Sequence, residues 1–266
     1  MSNLSYGLLF AFALILNETV AGQTTIPVAT AEYHYNQPGA GVHRILTYNV
    51  RNGKGMDEKT DYDRVAAVIK VINPEVAALQ ELDSVTTRSE GADVLKAIAE
   101  RCGMKPVYGA SINYSGGKYG IGILSKETPL RSSFLSLPGT EEKRGLLMVE
   151  FTDYIFFCTH FSLTETDRSA SVRLIGQKAK ELHKRVFLSG DLNALPTSEA
   201  VRSLTQNWKN LSGRQPTFPA PAPTECIDYI WGIDCCGFDY KIIKQEVVPE
   251  KMASDHRPVF VDVSFK

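Results

Sequence analysis

Asp191 and Asn193 close a short apolar run, VFLSGDLNALP, residues 186–196. In an extended strand, residues two apart point to the same side. A carboxylate and a carboxamide delivered together in this way ask for a common target. The same residue types recur wherever an apolar, strand-like run ends. Asn49 follows HRILTY. Gln80 and Glu81 end EVAALQEL. His160 closes YIFFCTH, Asp228 lies in CIDYI, and Asp255 and His256 precede PVFVDVSF. Acids, carboxamides and histidines without thiolates suit a hard divalent cation, Mg²⁺ or Mn²⁺. They also supply what is needed to activate water and to meet a phosphate. Asp228 sits between Ile227 and Tyr229, where an unpaired carboxylate is costly. Its natural partner is His256, an imidazole that an Asp orients and stabilises in its charged form.

Short elements must carry these residues. Residues 43–50 alternate in the manner of a strand. Residues 61–73 have helical apolar spacing with Asp at the start and Asn73-Pro74 at the end. A buried strand at 75–82 and a helix at 92–103, stopped by Gly103, follow. Five strand-like runs then cluster up to residue 161. A long helix is expected over 167–184, a strand at 186–193 and a short helix within 198–208. A Pro-rich loop, QPTFPAPAPTE, and three closing strands complete the chain. Strands outnumber helices, and the helices fall between groups of strands. Two packed sheets with helices outside are expected, in one domain over 42–266.

The 266 residues carry 29 Lys and Arg against 30 Asp and Glu, a formal net charge of −1. No global basic field or Lys/Arg run argues for nucleic acid. Residues 6–16, YGLLFAFALIL, are too short for a bilayer-spanning helix and fit the apolar part of a secretory signal, residues 1–22, although no Lys or Arg precedes them. Residues 23–41 read as a polar leader. Export to the periplasm or exterior is therefore expected, with no integral membrane segment in the mature chain. The five cysteines lack zinc-site spacing; Cys226 with Cys235 or Cys236 is a possible disulfide pairing that sequence does not fix. No Gly-x-Ser-x-Gly elbow supports a serine hydrolase.

TYNVRNG, LQELD, THF, SGDLNALP, IDYIW and SDHRPV together resemble, in order and separation, the endonuclease/exonuclease/phosphatase superfamily. ELDSVTTRS, GGKYGIGILSK, EEKRG and TFPAPAPTECIDYI are similar to a bacterial, often exported branch. The resemblance implies a four-layered α/β/β/α sandwich of the DNase I type, acting as a monomer on phosphate esters. It implies that Glu81, helped by Asn49, holds the cation, with Asp255 supporting His256 or a second ion. Asp191 would orient or deprotonate water, and Asn193 would fix that water or bind phosphate. His256, held by Asp228, would contact phosphoryl oxygens or act as the base. His160 would donate to the phosphate. Arg88, Lys118, Tyr119 and Arg144 match positions flanking the site in that branch, where they would meet a second phosphate or an acidic headgroup. Two departures stand out: Arg51 replaces an acidic residue of the AP endonucleases, and Ile121 replaces a usual Asn. Phosphodiester hydrolysis leads. The alternatives are a phosphomonoesterase on a sugar or inositol phosphate, a sphingomyelinase-type lipid phosphodiesterase using the loop at 207–223, and a binding protein that kept only the fold. The last predicts loss of at least one of Glu81, Asp191, Asp228 and His256, and all four are present.

Overall fold

The computed structural model describes residues 33–233 and 237–265. The signal reading at 1–22 and Cys235 and Cys236 lie outside them. Two six-stranded mixed sheets form the body. The first has the order β11–β12–β1–β2–β4–β3, built from β1 (Val42–Asn49), β2 (Val76–Ser84), β3 (Lys105–Tyr114), β4 (Gly117–Ser125), β11 (Lys241–Val247) and β12 (Val259–Ser264). The second has the order β5–β6–β7–β8–β10–β9, from β5 (Arg131–Leu137), β6 (Arg144–Glu150), β7 (Tyr154–His160), β8 (Arg185–Asp191), β9 (Trp208–Asn210) and β10 (Asp228–Ile233). In each sheet a parallel pair, β1–β2 or β7–β8, sits beside antiparallel neighbours.

Three apolar cores define four layers. Ile45, Ala78, Ile123, Val149, Phe156 and Phe187 fill the space between the sheets. Helices α1 (Tyr62–Ile72) and α2 (Val94–Cys102) cover the first sheet through Val65, Ile69, Leu95 and Ile98. Helices α3 (Glu165–Lys180) and α4 (Glu199–Leu204) cover the second through Val172, Ile175, Val201 and Leu204. The expected α/β/β/α sandwich is what the chain forms. The helices start as their caps dictate: the side chains of Asp61, Asp93 and Ser198 accept from Arg64, Lys96 and Val201 amides. Gly103 closes α2 in the left-handed conformation.

Differences from expectation are local. The long helix spans Glu165–Lys180 rather than 167–184, and the segment 198–208 divides into α4 and the start of β9. Within the leader segment 23–41, Tyr33 and Tyr35 pack on the helix-covered face of the first sheet. Their hydroxyls donate to Glu250 (2.9 Å) and Glu246 (2.7 Å). Ile121 is buried between the sheets, so the Asn-to-Ile departure there alters the core. The glycines of GGKYGIG serve close strand contact rather than phosphate. Gly116 turns the hairpin at φ +80°, and a Cβ on Gly120 would lie 2.1 Å from the Gly109 carbonyl oxygen.

Candidate active site

Strand register builds the site. In the second sheet His160 is paired with Asp191, and Asp191 with Asp228, so β7, β8 and β10 present three polar groups in one row. In the first sheet Asn49 ends β1 opposite Gln80 on β2. Glu81 reaches the site through a β-bulge. Between Leu79 and Leu82 strand β2 holds one residue more than β4, and Glu81 takes φ +60° there. Such a bulge re-aims a side chain that regular alternation would place elsewhere. Gln80, the other polar residue at that strand end, is instead fully buried against Cys158.

Hydrogen bonds join the two sheets at this edge. The Asn49 amide nitrogen donates to Glu81 (3.0 Å) and to Asp191 (3.1 Å). Its oxygen accepts from the Arg51 amide, and Asp191 accepts in the same way from the Asn193 amide (2.9 Å). Both strands thus finish in a side-chain turn two residues long, which Asn and Asp make readily. This corrects the extended geometry expected for Asp191 and Asn193. The strand stops at Asp191, Asn193 turns to φ +46°, and its amide nitrogen donates to the Phe161 carbonyl (2.9 Å).

His256 is buried, with Nδ1 2.9 Å from Asp228 Oδ2 and Nε2 3.7 Å from Asp191. Burial pulls its pKa down, but Asp228, Asp191 and Asp255 outweigh this and raise it to about 10. His160 Nε2 lies 3.5 Å from Asp191. There burial dominates, with Arg144 beside it, and the pKa falls to about 4. The two histidines therefore differ at neutral pH: His256 is an imidazolium and His160 a neutral hydrogen-bonding ring. Burial, together with Asp255 and Asp191, raises the Glu81 carboxyl. Asp255 lies 3.5 Å from Arg51 Nε, so Arg51 partly offsets the acid crowding.

Glu81, Asp191, Asp228 and Asp255 crowd one edge with few cations among them, and a divalent ion answers that imbalance. Asp191, Asp228 and His256 also have ligand atoms within 4.8 Å of one another. Asp228 Oδ2 also accepts from the Thr217 hydroxyl (2.6 Å) and lies 2.9 Å from His256 Nδ1. Asn49, turned nitrogen-first to both carboxylates, positions Glu81 and Asp191.

Of the flanking residues, Arg144 is buried beside His160. Its Nη1 lies 3.1 Å from Glu142, its Nη2 3.4 Å from Glu141, and its Nε has no protein partner. Tyr119 lies among Glu81, Glu142, Arg144 and Arg88, and its hydroxyl is pushed far up, by burial first. Arg88 is forked onto buried Asp83 and stacked near Tyr114 and Tyr119. Lys118 lines a groove beyond it.

Sequence reasoning missed Thr217, Phe218 and Ser254. The Pro-rich loop brings Thr217 onto Asp228 and the Phe218 ring to 4.8 Å from His256. The Ser254 hydroxyl donates to the Asn49 carbonyl (2.7 Å). All three lie inside the stretches TFPAPAPTECIDYI and SDHRPV, but each acts through a partner well removed in sequence, which local spacing does not reveal. In the same loop Thr217 and Ala220 are fully buried, while Pro221 and Ala222 are exposed.

Two stacked sheets with helices on both outer faces, and acids and histidines at one edge, define a DNase I-like sandwich. The chain belongs to the Endonuclease/Exonuclease/phosphatase family, which it matches over residues 46–256. Members of that family are hydrolases of phosphate esters. Among solved structures it is similar to an endonuclease/exonuclease/phosphatase from Bacteroides vulgatus, at 21% identity and TM-score 0.71, covering 85% of this chain and 99% of that one. It is also similar to the mannosyl-6-phosphatase Bt3783 of Bacteroides thetaiotaomicron, at 18% identity and TM-score 0.69, covering 84% and 100%. A humanized D. rerio TDP2 aligns at 18% identity and TM-score 0.67, covering 85% and 100%. No curated protein matches. Among the described residues no helix is long and apolar enough to cross a membrane.

Proposed function

We propose that the protein is an exported, monomeric, divalent-metal-dependent phosphoesterase that hydrolyses phosphodiesters with an activated water. The observation that carries this is the meeting of Glu81, Asn49, Asp191, Asp228, His160 and His256 at one edge of the two sheets. Glu81, with Asp255 nearby and Asn49 fixing its position, would hold Mg²⁺ or Mn²⁺. When bound, the ion polarises the phosphoryl group and offsets charge on the departing oxygen.

The remaining chemistry falls to side chains. Asp191 orients the water and accepts its proton, since the amides of Asn49 and Asn193 fix its carboxylate. His256, charged and held at Nδ1 by Asp228, offers Nε2–H to a phosphoryl oxygen. His160 donates a neutral hydrogen bond to the same group, and the Asn193 backbone amide holds the Asp191 carboxylate in place. As the bond from water oxygen to phosphorus forms, the phosphorus–alcohol bond breaks. The alcohol leaves toward Glu81 and takes its proton from solvent.

One observation favours a second reading, a phosphomonoesterase on a sugar or inositol phosphate. The buried Arg144, with Nε unpaired beside His160, would suit the extra charge of a monoester. The name of the Bacteroides thetaiotaomicron neighbour, mannosyl-6-phosphatase, is compatible with it. Hydrolysis of bis-p-nitrophenyl phosphate, with and without EDTA, tests the class: turnover restored by Mg²⁺ or Mn²⁺ is expected, and its absence overturns the proposal. p-Nitrophenyl phosphate run alongside distinguishes diester from monoester preference.

A further inference from the structure

We propose that Glu142 is a specificity-determining residue: it occupies the Arg144 guanidinium and so biases the site toward the single charge of a phosphodiester over the double charge of a monoester. This rests on the phosphoesterase reading above and bears on which of its two forms the site favours.

Glu141 and Glu142 lie in the turn from β5 to β6, and Arg144 opens β6. The next residue, Gly145, pairs with His160 on β7, so the turn stands at the catalytic edge. The buried Arg144 charge is felt by the His160 ring. Tyr119 on β4 feels both Arg144 and Glu142, and it feels Glu81 as well. The Arg144–Glu142 pair therefore borders His160 of the second sheet and, through Tyr119, the Glu81 side of the first.

The two acids hold Arg144 in different ways. Glu141 is tied to the chain around it. It accepts from the Leu163 amide (2.7 Å), the Ser162 hydroxyl (2.8 Å) and the Thr164 hydroxyl (3.3 Å), and meets Arg144 Nη2 only at 3.4 Å. Burial pushes its carboxyl up, but the amides of Glu141 and Leu163, the Ser162 hydroxyl and Arg144 outweigh this and hold it at about 2. Glu142 has no such set of donors. Its Oε1 is buried, accepts no aligned hydrogen bond and stands 3.1 Å from Arg144 Nη1. Burial raises its carboxyl, and Arg144 is the main group opposing that rise. Arg144 in turn keeps a buried, unbonded Nε. A guanidinium with an unused N–H is suited to the oxygens of an anion. Glu142 is the carboxylate that competes for it.

The charge balance sets the direction of the preference. Arg88 is the other cation here, and its fork onto buried Asp83 compensates it. Arg88 and Arg144 thus face three carboxylates, Asp83, Glu141 and Glu142. Coulomb energy scales with ligand charge, so this balance disfavours a dianion more than a monoanion. Specificity of that kind comes from what opposes the wrong ligand. The turn is also fixed in place. The Thr140 amide donates to Asp167 on α3 (2.6 Å), and a Cβ on Gly139 would run into the Glu142 carbonyl oxygen.

Calorimetric titrations at pH 8 with Mg²⁺ present use methyl phosphate, a dianion there, and dimethyl phosphate, a monoanion. They are run in the Asp191→Asn protein, where neither turns over. Adding Glu142→Gln is expected to tighten methyl phosphate about tenfold and dimethyl phosphate about threefold, since a doubled charge squares the factor. Adding Glu142→Asp instead keeps the charge and should leave both affinities near the parent's. With Arg144→Gln also present, the gain from Glu142→Gln for methyl phosphate should shrink below about threefold, because the guanidinium it frees is gone. No gain, equal gains for the two ligands, the same gain from Glu142→Asp, or a tenfold gain without Arg144 would overturn the inference. Hydrolysis of bis-p-nitrophenyl phosphate by the wild-type protein reports separately on the phosphoesterase reading, so either can fail without the other.

Discussion

Asp228→Asn tests the electrostatic logic of the site most directly. His256 is held at about 10 against an ordinary value near 6.5. A raised histidine contributes stability that is fully present below pH 6.5 and is lost as pH rises through 10. The difference, about 3.5 units, sets a ceiling of about 5 kcal/mol. Asp228 is the first of the groups that raise the imidazole and also bonds it, so most of that stabilisation should go with its charge. A second effect is independent of pH. Asp228 Oδ1 is buried without a protein partner, and an amide NH₂ placed there becomes an unpaired donor costing about 1–3 kcal/mol. Urea unfolding of cation-free protein from pH 6 to 10.5 separates the two. The gap between wild type and variant should be about 2–3 kcal/mol wider at pH 7 than at pH 10.5. A gap that does not change with pH would show that Asp228 holds Thr217 and the strand end but not a charged His256. At pH 7 the variant should also lose turnover by about 100-fold or more.

Four further outcomes follow from the geometry. Glu81→Gln removes a carboxylate crowded by Asp255 and Asp191, so cation-free protein should melt no lower than wild type, while the cation-induced rise in Tm and the turnover both disappear; a retained Tm rise would exclude Glu81 as a ligand. Because burial and those neighbours raise Glu81, cation affinity should climb as pH rises through its titration, which calorimetry from pH 5 to 8 reads. Gly190→Ala would place Cβ 2.0 Å from the Thr159 carbonyl oxygen, prising β8 from β7 beside His160 and Asp191; a stability loss of about 2–3 kcal/mol with reduced turnover is expected in urea unfolding and steady-state assays. A chain beginning at Val42 loses Tyr33, Tyr35 and the Asn36 carbonyl bonded to buried Arg44, and should be less stable by about 2–3 kcal/mol than one beginning at residue 31, as measured by urea midpoint.

The sandwich was legible because its cues are local. Apolar runs of strand length, Asp caps and Gly103 each act within a few residues. The site was legible as a set of residue types at strand ends, and the register brings Asn49, His160, Asp191 and Asp228 to one edge as those ends suggested. What pattern alone does not carry is any feature that depends on departure from the pattern. Alternation puts Gln80 or Glu81 at the site with equal ease; the bulge decides for Glu81, and it depends on how β4 pairs with β2. Asn193 was expected beside Asp191 and is turned away, because an Asp at a strand end captures the amide two residues on. Arg88 looked like an open cation, and its partner Asp83 lies only five residues earlier in the chain. The register that buries Asp83 beneath it is a property of the sheet.

The protections on either side of the site have the same origin. Asn49 and Asp191 end equivalent parallel pairs, each closed by a side-chain turn, and Asn49 bridges the two sheets by donating to both carboxylates. A single amide therefore keeps Glu81 and Asp191 apart yet fixed, in a place where their mutual repulsion would otherwise drive them to solvent. Asn49→Asp separates that positioning role from direct cation ligation. It keeps shape but replaces the bridging donor with a third acid between two others. If Asn49 works as a bridge, cation-free stability at pH 7 should fall by about 2–4 kcal/mol, recover as pH drops through the carboxylate range, and be restored by Mg²⁺ only in part. Full restoration, with tighter Mg²⁺ binding than wild type, would show that position 49 contributes an oxygen to the ion and that the amide contacts seen between the strand ends are secondary.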